Sequence, residues 1–288
     1  MPDMDTAHFY WLCFDDLDGQ KAFFRYLKDR SQDLKATGWI LCNSFYDLEQ
    51  SAYELIGRVL PVGPLIEGRR HGRLEGNFWQ EEDTCLSWLD QQPADSVIYV
   101  AFGSITIFNQ HQFQELALGL ELSGKRFLLV VRPGLCSNGG SEGEDGYYPD
   151  GFKDRVGDRG RIVGWSPQQK VLAHPAIACF FTHCGWNSTM EGLSNGVPFL
   201  CWPCNFDQFL NKAYITDVWK VGLEVKPESD GNISREEIKR KLELLVGDKE
   251  IRARSLELKA LARKNVSDGG SSWKNFNNFI EAMKSKSC

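Results

Sequence analysis

Apolar positions follow two different rhythms along this chain. In the first sixty residues they are spaced out among charges. Residues 19–36 carry Phe23, Phe24, Leu27 and Leu34 at intervals that predict an amphipathic helix. Residues 38–42 form a short apolar run after a glycine, the pattern of a strand, and residues 47–56 read as a helix with Asp47 near its start. Residues 61–80 hold two prolines and four glycines without periodicity, which predicts an exposed connection between two units.

Beyond that connection the rhythm becomes a regular alternation. Helices are predicted over 81–91, 109–123 and 167–173, from Trp186, and from about Asn205. Strands are predicted over 97–102, 127–131, 161–163, 177–181, 198–202 and 222–225, with a glycine-rich loop over 133–148. Residues 234–286 read as helical, interrupted at Gly269-Gly270-Ser271. The strands are continuous apolar runs, the mark of a parallel sheet covered on both faces. Strand–helix repetition of this kind predicts a doubly wound α/β domain, in which ligands bind outside the carboxyl ends of the strands. Chemistry is therefore expected in the loops after Phe102, Val131, Val163, Phe181 and Trp202.

Composition narrows the classes. At roughly 150 residues per domain, 288 residues give about two domains. Lys and Arg number 33 against 39 Asp and Glu, a net charge of −6, which argues against a protein that neutralises nucleic-acid backbones. No apolar run approaches the ~20 residues of a membrane span. The acidic opening Met1-Pro2-Asp3-Met4-Asp5 lacks the basic region of a signal peptide. Nine scattered cysteines do not form a disulfide framework, so a reducing, cytoplasmic setting is expected.

Two strand ends carry candidate chemistry. After Phe181 the chain reads Thr182-His183-Cys184-Gly185-Trp186-Asn187-Ser188-Thr189-Met190-Glu191, a turn feeding a helix. Asn187, Ser188 and Thr189 are good capping residues, and Gly185 would let a ligand approach the backbone. A helix N-terminus suits a phosphate or diphosphate, with His183 as a further donor. Glu191, on the same face as Asn187, could accept from a ribose diol. A capped helix that binds nothing fits these residues equally well. The second end is Gly164-Trp165-Ser166-Pro167-Gln168, where Trp165 could stack on a base or simply pack in the core. Phe102-Gly103-Ser104 closes a third strand with small residues that could approach a phosphate.

Taken together, Trp165 to Gln208 reads WSPQQKVLAHPAIACFFTHCGWNSTMEGLSNGVPFLCWPCNFDQ. It closely resembles the signature box of plant UDP-sugar-dependent glycosyltransferases that act on small molecules: W-x-P-Q at its start, H-C-G-W-N-S-x-x-E in the middle, P-x-x-x-D-Q at its end. Asn43 to Glu49, Gly63-Pro64-Leu65, Cys85 to Asp90 and Gly269-Gly270-Ser271-Ser272 resemble further stretches of the family. The resemblance implies an α/β fold of GT-B type: a Rossmann-like, doubly wound parallel-sheet donor domain plus the C-terminal remnant of the acceptor domain. It divides the chain into a remnant of the acceptor domain (1–60), a linker (61–80), a nucleotide-sugar donor-binding domain (81–268) and a helix packing back toward the acceptor domain (269–288). It places Trp165 on uracil with Gln168 beside the uridine, and Glu191 on the ribose hydroxyls. His183, Asn187, Ser188 and Ser104 fall at the diphosphate, and Ser166 and Gly185 are counted among the residues that bind the UDP-sugar. Trp186, Asp207 and Gln208 fall at the sugar, the last as a glucose preference.

The family's catalytic base is a histidine near its chain start, and the resemblance implies that it removes an acceptor hydroxyl proton during an inverting transfer. His8, His71, His111, His174 and His183 do not match it, so no catalytic residue is assigned, and the chain is expected to lack that part of a family member. Transfer of glucose from UDP-glucose to a flavonoid, phenol, terpenoid or hormone is the function expected of the family. A non-catalytic nucleotide-sugar-binding fragment or regulatory module is the alternative. No metal or organic cofactor is expected. Asp3-Met4-Asp5 and Asp16-Leu17-Asp18 read D-x-D but follow no strand, and Cys201-Trp202-Pro203-Cys204 lacks a second ligand pair.

Overall fold

The structure is a computed structural model that describes residues 2, 5–12, 14, 16–66, 79, 81–136 and 144–286. Much of the expected connection over 61–80 and of the glycine-rich loop lies outside these residues. The first segment holds α1 (Leu17–Ala36), β1 (Ile40–Cys42), α2 (Gln50–Ile56) and β2 (Val59–Pro61). Asp16 caps α1, its carboxylate accepting from the Gly19 amide at 2.6 Å, so the second D-x-D pattern has a local structural role. β1 and β2 pair in parallel, Ile40 opposite Val59. The sequence did not predict β2.

The larger unit follows as α3 (Thr84–Leu89), β3 (Val97–Ala101), α4 (Gln110–Leu122), β4 (Arg126–Val130), α5 (Phe152–Val156), β5 (Gly160–Val163), α6 (Gln168–Leu172), β6 (Ile177–Thr182), α7 (Trp186–Asn195), β7 (Phe199–Cys201), α8 (Gln208–Ala213), β8 (Gly222–Glu224), α9 (Arg235–Gly247), α10 (Lys249–Val266) and α11 (Ser271–Lys286). All six of its strands are parallel, in the order β5-β4-β3-β6-β7-β8. The order reverses between β3 and β6, which opens a crevice at their carboxyl ends.

Burial explains the apolar runs of the central strands. Ile98, Val100, Phe127, Leu129 and Phe181 face one core, shared with Phe113 and Leu116 of α4 and Ile238 and Leu242 of α9. Their neighbours Val97, Tyr99, Leu128, Val130 and Phe180 face a second, shared with Met190 and Leu193 of α7 and Ala262 of α10. Alternate residues point to opposite faces, and both faces are covered. Several boundaries moved, among them three helix starts. The helix expected over 47–56 begins at Gln50. The one expected from Glu81 begins at Thr84, and the one expected from Asn205 begins at Gln208. Asp248 separates α9 from α10 and caps the latter, accepting from the amides of Glu250 and Ile251 at 2.9 Å.

The two units meet along a seam. The Trp186 indole donates to the Asn43 carbonyl at 2.8 Å. Asn265 of α10 donates to Asp47 at 2.7 Å, and Asn275 of α11 donates to the Pro61 carbonyl at 2.9 Å.

Candidate functional site

A cavity of about 390 Å³ opens at the carboxyl ends of β3, β4, β5 and β6. Each strand delivers one part of its wall: Gly103 and Ser104 follow β3, Arg132 follows β4, Trp165 to Gln168 follow β5, and His183 to Ser188 follow β6. Of the candidate residues, Ser104, Trp165, Ser166, Gln168, His183, Gly185, Trp186, Asn187, Ser188 and Glu191 all line it. Asp207 and Gln208 do not. The Gln208 amide oxygen is turned inward, accepting from the Cys204 and Asn205 amides at 2.8 and 2.9 Å, and Asp207 accepts from Asn211 at 2.9 Å.

One end of the cavity is a hydrogen-bond network. Gln168 donates to the Glu191 carboxylate at 2.6 Å and to the Ser188 hydroxyl at 3.0 Å, and accepts from the Tyr99 hydroxyl at 3.0 Å. Gln169 donates to the other Glu191 oxygen at 3.2 Å. Tyr99 and Ser166 exchange a hydrogen bond at 2.8 Å, and burial raises the Tyr99 pKa, so it stays a neutral donor. The Trp165 turn is held from α3's approach: Glu82 accepts from the Gly164 amide at 2.6 Å, and the Glu82 amide donates to the Trp165 carbonyl at 2.9 Å.

Adjoining this network is the start of α7. Gly185 occupies the cap position and no side chain caps the helix, so Asn187, Ser188 and Thr189 are not its caps. Its first amides are left open to a ligand. Gly185 has a further task. A Cβ there would lie 2.5 Å from His183 Nε2, and one on Gly103, whose φ is +67°, would lie 2.7 Å from the same atom. The two glycines make the slot for the imidazole. Burial pushes the His183 pKa down to about 4, so the ring is neutral near pH 7 and acts as a hydrogen-bonding group without charge.

Comparison with known proteins fits this arrangement. The sequence model of the family described as UDP-glucoronosyl and UDP-glucosyl transferase matches residues 80–265. The chain belongs to that family. It is 39% identical over 292 residues to UDP-glycosyltransferase 83A1 of Arabidopsis thaliana, covering 99% of this chain and 59% of that protein. It is 39% identical over 262 residues to gallate 1-beta-glucosyltransferase 84A24 of Punica granatum, covering 86% and 49%. Its structure is similar to that of Phytolacca americana UGT2 complexed with UDP-2fluoro-glucose and pterostilbene (TM-score 0.72, 38% identity, 84% of this chain and 52% of that one). It is also similar to Os79 from O. sativa in complex with UDP (TM-score 0.77, 33% identity, 86% and 56%). The chain thus spans about half the length of several relatives, and the fold is the GT-B type of this transferase family.

Within this UDP-glycosyltransferase chain two cavity residues went unnoticed in the sequence. Tyr99 sits inside an apolar strand, and its signal was a phenol in a run with no other polar group, which must find a partner when buried. Arg132, after β4, left no signal distinguishing it from a surface charge. The histidines are dispersed. His8 stacks on Phe209 with centroids 4.2 Å apart, His111 is exposed on α4, and His174 contacts Asp90 at 3.2 Å. His71 lies outside the described residues. Among the described residues no group of three or more His, Cys, Asp or Glu could hold a metal ion, and no helix is long and apolar enough to cross a membrane.

Proposed function

We propose that this chain is the donor-binding part of a UDP-glucose-dependent transferase acting on a hydroxyl of a small molecule such as a flavonoid, phenol, terpenoid or hormone. One observation carries the reading: the strand ends gather an aromatic plate (Trp165), a carboxylate presented by two glutamines (Glu191) and an open helix N-terminus (186–188) into one cavity. The Trp165 face takes uracil, Glu191 takes the ribose diol, and the α7 amides with Ser104 and His183 take the diphosphate.

In the transfer, the acceptor oxygen attacks the anomeric carbon from the face opposite the diphosphate. The carbon–oxygen bond to UDP breaks, configuration inverts, and the hydroxyl proton passes to a base. The α7 N-terminus stabilises the charge growing on the departing diphosphate. None of the described histidines is placed to take the acceptor proton, so the base is assigned to the acceptor half that the longer relatives carry. Without positioning and a base, transfer by these 288 residues alone is negligible.

This placement of the histidines also favours a second reading, a nucleotide-sugar-binding module without catalysis. Both readings require donor binding. Titration with UDP-glucose, followed by tryptophan fluorescence, should saturate and should weaken at least about tenfold in Trp165→Ala and Glu191→Ala. Unchanged binding in both variants would sink the site assignment. Sugar transfer once an acceptor half is supplied would decide for the enzyme.

A further inference from the structure

The diphosphate end of the cavity needs positive charge, and His183, held near pKa 4, does not supply it at neutral pH. Among the described residues the cavity is lined by two basic side chains besides His183, Lys170 and Arg132. Lys170 is exposed on α6, beside Gln168 and Gln169 at the base end. Arg132 is only 7% exposed and stands directly below the loop that carries Ser104. Its Nε donates to the Gly103 carbonyl at 3.2 Å, Nη2 to the Thr106 carbonyl at 2.5 Å, and Nη1 to the Pro133 carbonyl at 3.0 Å. Ser104 lies between two of the carbonyls it grips. Arg132 forms no ion pair with a carboxylate among the described residues.

A guanidinium buried without a counter-ion is costly to the folded chain, and three neutral carbonyls offset that cost only in part. A diphosphate in the cavity would supply the counter-ion that the described residues do not. We propose that Arg132 is a positioning residue for the diphosphate: it fixes the 103–106 loop so that Ser104 faces the phosphates, and it supplies the net positive charge that selects a nucleoside diphosphate over the nucleoside. The inference rests on the nucleotide reading of the cavity and adds the residue that sets preference for the phosphorylated ligand. A guanidinium suits both tasks because its fork can hold several carbonyls while remaining charged.

The test compares two probes, UDP and uridine, on the 288-residue chain and on Arg132→Gln and Arg132→Lys. The expected result for Arg132→Gln is a rise of about tenfold in the Kd for UDP, with the Kd for uridine within about twofold of the parent. Arg132→Lys keeps the charge and loses the three-way grip, so its UDP affinity falls between the two. Uridine binding doubles as the control for folding. Parallel loss of UDP and uridine affinity would reduce Arg132 to a general structural role and overturn the proposal, as would an unchanged UDP-to-uridine ratio. Should Arg132→Gln fail to fold, the ratio in Arg132→Lys decides by the same criterion. A parent chain that binds neither probe overturns the nucleotide reading and this inference together. A parent that binds both, with the ratio unmoved by substitution, overturns this inference alone.

Discussion

The six-stranded unit and the first segment are both rich in apolar side chains and use them to different effect. In the larger unit the central strands β3, β6 and β7 are buried along their whole length, and Phe127, Phe180, Phe181 and Phe199 have no exposed surface. In the first segment α1 has no buried residue along its twenty positions. Tyr10 stacks on Phe23, Phe14 meets the same ring edge-on, and Trp11 meets Phe24 edge-on, yet Phe24 and Tyr26 remain 47% and 56% exposed. An amphipathic pattern specifies a helix and a face. Only a second surface converts that face into stability, and in the larger unit the crossover helices provide it locally, strand by strand.

Substitutions should expose this difference. Phe181→Ala empties a site between α4 and the sheet and should cost about 3–5 kcal/mol, read as a lower Tm or denaturation midpoint. A loss below about 1 kcal/mol would mean that the sheet is packed no better than α1. The next effect is a pH dependence confined to the larger unit. His183 has its folded pKa near 4 against an ordinary 6.5. The unfolded chain therefore takes up its proton first, and the stability His183 contributes is complete above pH 6.5 and lost as pH falls through about 4, by at most about 3 kcal/mol. His183→Gln should flatten that part of the profile, and identical profiles for parent and variant would contradict the buried neutral ring.

A smaller change is expected at the slot itself. Gly103→Ala adds a methyl 2.7 Å from His183 Nε2 at φ +67°, and should cost about 1–2 kcal/mol while weakening UDP binding. Undisturbed binding would show that the ring can move aside freely. The smallest effect belongs to α1. Phe24→Ser should shift stability by no more than about 0.5 kcal/mol. A loss as large as that of Phe181→Ala would erase the contrast between the two regions.

What could be read from the sequence tracks the same contrast. The strands of the larger unit were legible because being covered on both faces leaves an unbroken apolar run, and the helix beginning at Trp186 was legible from its turn. β2 was not, because Val59-Leu60-Pro61 is three residues long and becomes a strand only through its pairing with β1. Ten of the candidate residues came from a single box and its neighbouring strand end, and they share one cavity. Asp207 and Gln208 belong to the same box, but their side chains are engaged in the turn that starts α8. Tyr99 and Arg132 acquire their roles from partners 67 and 29 residues away, brought near by the parallel register, which local pattern does not record.

The bond from the Trp186 indole to the Asn43 carbonyl joins positions 143 residues apart at the lip of the cavity. Trp186 is also the first residue of α7, so the seam between the two units and the mouth of the site share one side chain. Any coupling between the two is reciprocal. By whatever factor docking of the first segment tightens a ligand's hold on the α7 N-terminus, that ligand must tighten the docking by the same factor. A nucleotide sugar bound in the cavity would then act as a clasp on the first segment.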